Sequence, residues 1–252
     1  MNHLALEKWL NTLLSTHLFK DYAPNGLQVE GKAEVQRVMT GVTASQALID
    51  RAVEEGVDAL IVHHGFFWKG EPPSLRGVKY RRIQALIKHD INLYAYHLPL
   101  DAHPDIGNNA QLGHLLGLDN ISTLEPDNPC ALIARGELNP PLPAAQFADI
   151  IGKVLARQPL HLSADPHRLI QQVGWCTGGG QDFIDTAAEA GLDAFISGEV
   201  SERTTHSARE LGIDFFAAGH HATERYGIQA LGERLGKDLG LDVIHQDIDN
   251  PV

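Results

Sequence analysis

Residues 36–64 read QRVMTGVTASQALIDRAVEEGVDALIVHH, and residues 171–199 read QQVGWCTGGGQDFIDTAAEAGLDAFISGE. Set against each other at a constant offset of 135, eleven of the 29 pairs are identical without a gap, among them Gln36/Gln171, Val38/Val173, Gly56/Gly191, Asp58/Asp193 and Ile61/Ile196. Both copies follow one pattern. A short apolar strand enters a Gly/Thr/Ser turn, and a helix follows with apolar residues at helical spacing (Ala47, Leu48, Ala52, Val53). A glycine suited to the left-handed residue after a helix comes next, and then a second apolar strand at 59–62 or 194–197. Strand–helix–strand at this spacing is a βαβ unit, whose strands lie parallel. A further helix and strand follow each copy, at 91–96 and 213–218. The expectation is an α/β fold of two related halves from an internal duplication. Its sheets are partly parallel and flanked by helices, and a site lies in the cleft between the halves.

Outward from the repeat, the strongest punctuation is Glu125-Pro126-Asp127-Asn128-Pro129 and then Asn139-Pro140-Pro141-Leu142-Pro143. Proline suits neither a helix interior nor a central ladder, so both runs are expected as loops. A boundary near 126 gives domains 1–125 and 126–252, with segment 241–252 a candidate to pack back on the first. The 252 residues suffice for a substantial core. Hydrophobic residues at 43% and charged residues at 21% describe an ordinary globular chain. A net charge of −12 argues against direct binding to nucleic acid, since phosphate-neutralising chains carry the opposite sign. Cys130 and Cys176 make no disulfide framework and read as reduced thiols of a cytoplasmic protein. The N-terminal MNHLALEKWLNTLLSTHLFK carries Glu7, Lys8 and Asn11 within its apolar pattern, so it reads as an amphipathic helix, not a signal peptide. No apolar run approaches the ~20 residues of a membrane span.

The 14 histidines are the unusual component, and several of them fall at predicted strand ends. The strand at 59–62 runs into His63-His64-Gly65, and the strand at 91–96 into His97 with Asp101 four residues on. The strand at 215–218 runs into Gly219-His220-His221 with Glu224 four residues beyond His220, and the strand at 194–197 into Gly198-Glu199. Ligands of open α/β sheets collect beyond the carboxyl ends of parallel strands. Imidazole with carboxylate suits Zn, Mn, Fe or Ni. Spacing of four on a helical turn puts both groups on one side. Adjacent histidines face opposite ways in a regular strand, but at its end they can serve two different ions.

These motifs resemble a known family. Val62-His63-His64-Gly65-Phe66-Phe67-Trp68-Lys69-Gly70 is similar to the metal motif of the YbgI-type dinuclear-metal family, the GTP cyclohydrolase 1 type 2 homologues. So are His97-Leu98-Pro99-Leu100-Asp101 followed by Gly107-Asn108-Asn109, the stretch Gly219-His220-His221-Ala222-Thr223-Glu224, and the opening Asp21-Tyr22-Ala23-Pro24-Asn25-Gly26-Leu27-Gln28-Val29. The resemblance implies two divalent ions per chain, held by His63, His64, Asp101, His220 and Glu224, with Glu224 bridging. It also implies a ring-shaped homohexamer, a hydrolytic role on a purine nucleotide, and a link to DNA damage and radiation resistance.

His97 could be an outer support, a weak ligand or a proton shuttle, and a substrate-side acid or base role is favoured. His221 is read as a support or a surface residue, and Glu199 and His206 as either cleft-lining or solvated. Thr177-Gly178-Gly179-Gly180 is either an anion-binding helix entry or a tight turn. Phe66, Phe67 and Trp68 read as core or interface in preference to a base-stacking platform. Asp119, Asp242, Asp247 and Asp249 look solvated. His3, His17, His89, His103, His114, His161, His167 and His245 show no metal spacing. Two functions therefore compete: a metal-dependent hydrolase with a small-molecule substrate, and a non-catalytic metal-binding scaffold.

Overall fold

A computed structural model describes residues 1–163, 165 and 168–252. The chain forms two compact units, the first comprising Met1–Gly107 with Gly227–Asp249 and the second Asn108–Tyr226 with Asn250–Val252. The division therefore does not fall near residue 126. The 125–129 run is a surface connection inside the second unit, linking strands Asp119–Thr123 and Ala134–Pro143. Those strands pair with each other, so the loop between them cannot separate domains.

The first unit holds a five-stranded sheet in the order Gly26–Val29, Asn92–Ala95, Ala59–His64, Arg37–Thr43, Asp242–His245. All its pairings are parallel except that of the outer strand Gly26–Val29. Strand alternation sorts its side chains into two cores. Val38, Val42, Ala59, Ile61, Tyr94 and Tyr96 pack under helix His3–Leu13 and under Ile228, Leu231 and Leu235 of the last helix. Met39, Leu60, Val62, Leu93 and Ala95 pack under helices Gln46–Glu54 and Gly77–Lys88 on the other face. The tail of the chain belongs to this sheet, because Asp242–His245 pairs with Arg37–Thr43.

The second unit holds a six-stranded sheet in the order Asp119–Thr123, Ala134–Pro143, Leu169–Cys176, Ala194–Ser197, Asp214–Ala217, Leu160–Leu162. Its Leu169–Cys176, Ala194–Ser197 and Asp214–Ala217 strands are mutually parallel, and the rest pair antiparallel. Val173, Trp175, Ile196 and Phe216 face helix Ala144–Leu155, whereas Phe195 and Phe215 face helices Ile184–Glu189 and Glu202–Leu211. The proline run 139–143, expected as a loop, instead continues the strand Ala134–Pro143. The ladder with Leu169–Cys176 shifts register between Glu137 and Leu142, and the neighbouring strand Asp119–Thr123 pairs no farther than Glu137. The prolines thus occupy a bulged, one-sided stretch where their missing N–H is not required.

The repeat is visible in the ladders. Val38 opposes Ala59 in the first unit, and Val173 opposes Ala194 in the second. Gly56 and Gly191 both take the left-handed conformation after their helices, at φ +62° and +75°. Even a side-chain device is duplicated. Asp58 accepts from the backbone N–H groups of Gln36 and Arg37, and Asp193 accepts from those of Gln171 and Gln172.

Candidate metal centre

In the first unit the imidazoles of His63, His64 and His97 each bring one ring nitrogen within 4.8 Å of the other two. Their positions follow from the sheet. His63 and His64 end the strand Ala59–His64, and His97 follows the adjacent parallel strand Asn92–Ala95. The adjacent histidines do not point apart: their ring centroids lie 4.5 Å from each other. The tautomers of His63 and His97 are set by what holds each Nδ1. His63 Nδ1 lies 2.9 Å from the Tyr96 carbonyl oxygen, which can only accept, so Nδ1 carries the proton and Nε2 the lone pair. The same logic applies at His97, whose Nδ1 is 2.7 Å from a carboxylate oxygen of Asp21. His64 Nδ1 is 3.2 Å from the Thr43 hydroxyl. A carboxylate joins the group: His63 Nε2 is 3.5 Å from Asp101 Oδ1. Asp101 is buried on the short helix Leu98–Ala102, one turn beyond His97, as the His-x-x-x-Asp spacing requires.

Asp21 is the residue here that spacing did not single out as a site residue. It accepts from His97 Nδ1, the Asn25 amide and the Leu98 N–H, while Asn25 Oδ1 accepts from the His97 N–H. Burial alone would raise its carboxyl. The hydrogen bond and charge of His97, with the bonds from Asn25 and Tyr22, outweigh burial and hold it below the ordinary carboxylate value. Asp21 stands 76 residues before His97, so no local period connects them. The only signal was its place in the family-like opening motif.

In the second unit, His220 starts the long helix His220–Leu239 and Glu224 follows one turn later. His220 Nε2 lies 3.2 Å from Glu224 Oε2, and its Nδ1 lies 2.7 Å from Glu199 Oε1. Burial opposes the imidazolium. Hydrogen bonds and charge from Glu224, and then from Glu199, overcome that and raise the His220 pKa to about 9. Glu199, which the sequence leaves as either cleft-lining or solvated, is half-exposed but tied to His220. The Gly178 turn closes over this pair. A Cβ on Gly178 would fall 2.0 Å from Glu224 Oε1 and 3.0 Å from His220 Nε2, and its φ is +63°. Its N–H donates to Thr223 Oγ1, and its carbonyl accepts from the N–H groups of Gly198 and Glu199. These bonds make the glycine turn a support for the His220–Glu224 pair. His221 is buried, and its N–H donates to the Val252 carbonyl.

The remaining candidates are structural or solvated. His245 Nδ1 is 3.0 Å from Thr40 Oγ1, His161 pairs with buried Asp214, and exposed His206 pairs with Glu202. His167 lies outside the described residues. Trp68, read as core or interface, is half-buried with its ring 4.9 Å from that of His97. Among the described residues no helix is long and apolar enough to cross a membrane.

Known proteins are similar to this chain along their full length. A Vibrio cholerae protein named GTP cyclohydrolase 1 type 2 homolog is 60% identical over 253 residues, covering all of both chains. The solved structure titled protein ybgI, unknown function, matches with a TM-score of 0.95 at 56% identity, again over all of both chains. The crystal structure of TTHA1606 from Thermus thermophilus matches with a TM-score of 0.90 at 35% identity and the same full coverage. The family Duf34/NIF3 (NGG1p interacting factor 3) matches residues 1–251. With the family match, the fold and the whole-length identity in agreement, the chain belongs to the Duf34/NIF3 family.

Proposed function

We propose that the chain is a dinuclear-metal-dependent hydrolase of a small molecule, a purine nucleotide being the class that its relatives' name suggests. The observation that carries this reading is the His63–His64–His97 group, in which fixed acceptors on the Nδ1 atoms of His63 and His97 leave the lone pair on each Nε2, for ligation at His63 and for proton transfer at His97. Metal-binding histidines are commonly oriented in this way by their second nitrogen. The donor set fits two borderline divalent ions such as Zn, Fe, Mn or Ni. His63, His64, Asp101, His220 and Glu224 would hold them, with Glu224 as the shared carboxylate. Such ions would supply Lewis-acid polarisation and a water acidic enough to ionise near neutral pH. The chain's own residues manage the proton. His97 presents Nε2 to take it or return it, and Asp21 fixes the tautomer and steadies the charged ring. The proposed assembly is a ring-shaped homohexamer, for which light scattering should give six times 27.5 kDa.

The test begins with metal analysis of freshly purified protein. A panel of purine nucleotides and simple phosphoesters is then assayed with the metal found. Turnover should vanish in Glu224→Ala while circular dichroism shows the fold retained. Metal-loaded protein without turnover on any substrate would instead favour a metal-binding scaffold.

A further inference from the structure

Only 6% of this chain is aromatic, yet two such side chains, Tyr22 and Trp68, lie on two loops against the histidine group, with Phe67 next to Trp68 in the chain. Tyr22 is 62% exposed and Phe67 36% exposed, and Trp68 is half-buried. The Trp68 ring meets His97 edge to face at 4.9 Å and 85°, and lies 5.9 Å from His64. The Tyr22 ring also meets His97 edge-on, at 6.4 Å and 66°.

The Trp68 ring is anchored, and the loop that carries Tyr22 is tied to it through the backbone. Trp68 Nε1 donates to the Gly65 carbonyl at 3.2 Å, and the Trp68 N–H donates to Glu71, itself bound by Lys79 at 2.8 Å. The two loops are joined directly, because the Lys69 N–H donates to the Tyr22 carbonyl at 2.6 Å. Gln28 adds a second tie, bridging the Phe66 backbone and the Pro24 carbonyl. Exposed aromatic area costs stability in water, and burying these rings in a core would remove that cost. Fixed aromatic faces beside a polar group are instead the arrangement that binds planar heteroaromatic rings.

We propose that Trp68 and Tyr22 form a stacking subsite for the base of a free nucleoside or nucleotide, next to the histidine group. This rests on the hydrolase reading for the role of the neighbouring imidazoles and deepens it by assigning the part of the substrate that is recognised. The net charge of −12 favours a small molecule over a nucleic-acid strand, whose many phosphates would be repelled.

The test is equilibrium binding to the metal-loaded protein, followed by calorimetry and by tryptophan fluorescence. The probes are guanosine, adenosine, ribose 5-phosphate, inorganic phosphate and a short single-stranded oligonucleotide. Guanosine or adenosine should bind saturably and quench a fluorescence component that is missing in Trp68→Phe. Tyr22→Ala and Trp68→Ala should each weaken nucleoside binding by about tenfold, the usual scale for losing one stacking partner, with metal content unchanged. Trp68→Phe, which keeps a ring, should lose much less. Tyr22→Ala alters an exposed side chain, so it keeps the test decisive if Trp68→Ala does not fold.

Equal binding of nucleoside by wild type and Tyr22→Ala would overturn the proposal. So would ribose 5-phosphate binding as tightly as guanosine, or binding confined to the oligonucleotide. The hydrolase reading fails separately. Nucleoside binding without turnover would keep the subsite and remove the hydrolase, whereas nucleotide turnover whose KM is unchanged in both Trp68→Ala and Tyr22→Ala would do the reverse.

Discussion

Replacing Glu199 by Gln should change how metal affinity depends on pH. In the metal-free chain, Glu224 and Glu199 raise His220 from 6.5 to about 9, a preference for the imidazolium of about 3 kcal/mol. The side chain is 28% exposed, so solvent screens this only in part. Proposed ligation through His220 needs the neutral ring, so a metal must displace that proton. At pH 7 about one ring in a hundred is neutral, and apparent affinity sits about a hundredfold below its high-pH limit. Affinity should therefore rise about tenfold per pH unit from 7 until it levels near 9, well above the ordinary histidine range. Glu199→Gln removes one of the two anionic partners and keeps the shape. The profile should then level at lower pH, with tighter binding than wild type near pH 7. The assay is competition for Zn²⁺ against a chromophoric chelator at fixed ionic strength between pH 6.5 and 9.5. Wild-type affinity that is flat above pH 7.5, or identical profiles for the two proteins, would refute the reasoning.

Further outcomes follow from the same geometry. With chelator present, the raised His220 pKa adds stability that is complete below pH 6.5 and fades as pH rises through about 9, so the wild-type melting temperature should fall over that window more than that of Glu199→Gln. Gly178→Ala should cost about 1–2 kcal/mol for the left-handed backbone alone, seen in thermal melts of the metal-free protein, and should also lower metal content because the new Cβ collides with Glu224. Asp58→Ala and Asp193→Ala each strip an acceptor from two backbone N–H groups, and urea melts should show comparable losses of about 1–3 kcal/mol; a loss at one site alone would count against a shared device. Chelation should lower the melting temperature of wild type and of His245→Ala, but hardly that of Glu224→Ala. Equal metal stabilisation in Glu224→Ala would place the ions elsewhere.

The duplicated strand–helix–strand units were legible from the chain alone. Alternating apolar positions and helical spacing are local consequences of backbone geometry, and Asp58/Asp193 and Gly56/Gly191 recur because each copy needs the same turn and cap. The histidines at strand ends were legible for a related reason: parallel strands present their carboxyl ends together, so residues that finish adjacent strands become neighbours. The proline run 139–143 reads as a loop from sequence but lies in a strand, because the missing N–H is disqualifying only where a partner strand is present, and that depends on which strands end where. The boundary near 126 failed similarly, since a proline-rich run marks an exposed connection but does not reveal whether its flanking strands pair. The pairing of Asp21 with His97, of Glu199 with His220, and of Trp68 with the imidazoles joins loops that no sequence period connects. Those contacts, and with them the tautomers of the rings and the high pKa of His220, exist only once the sheets bring distant strand ends together, because hydrogen bonds and charge act over a few ångströms of space and not along the chain.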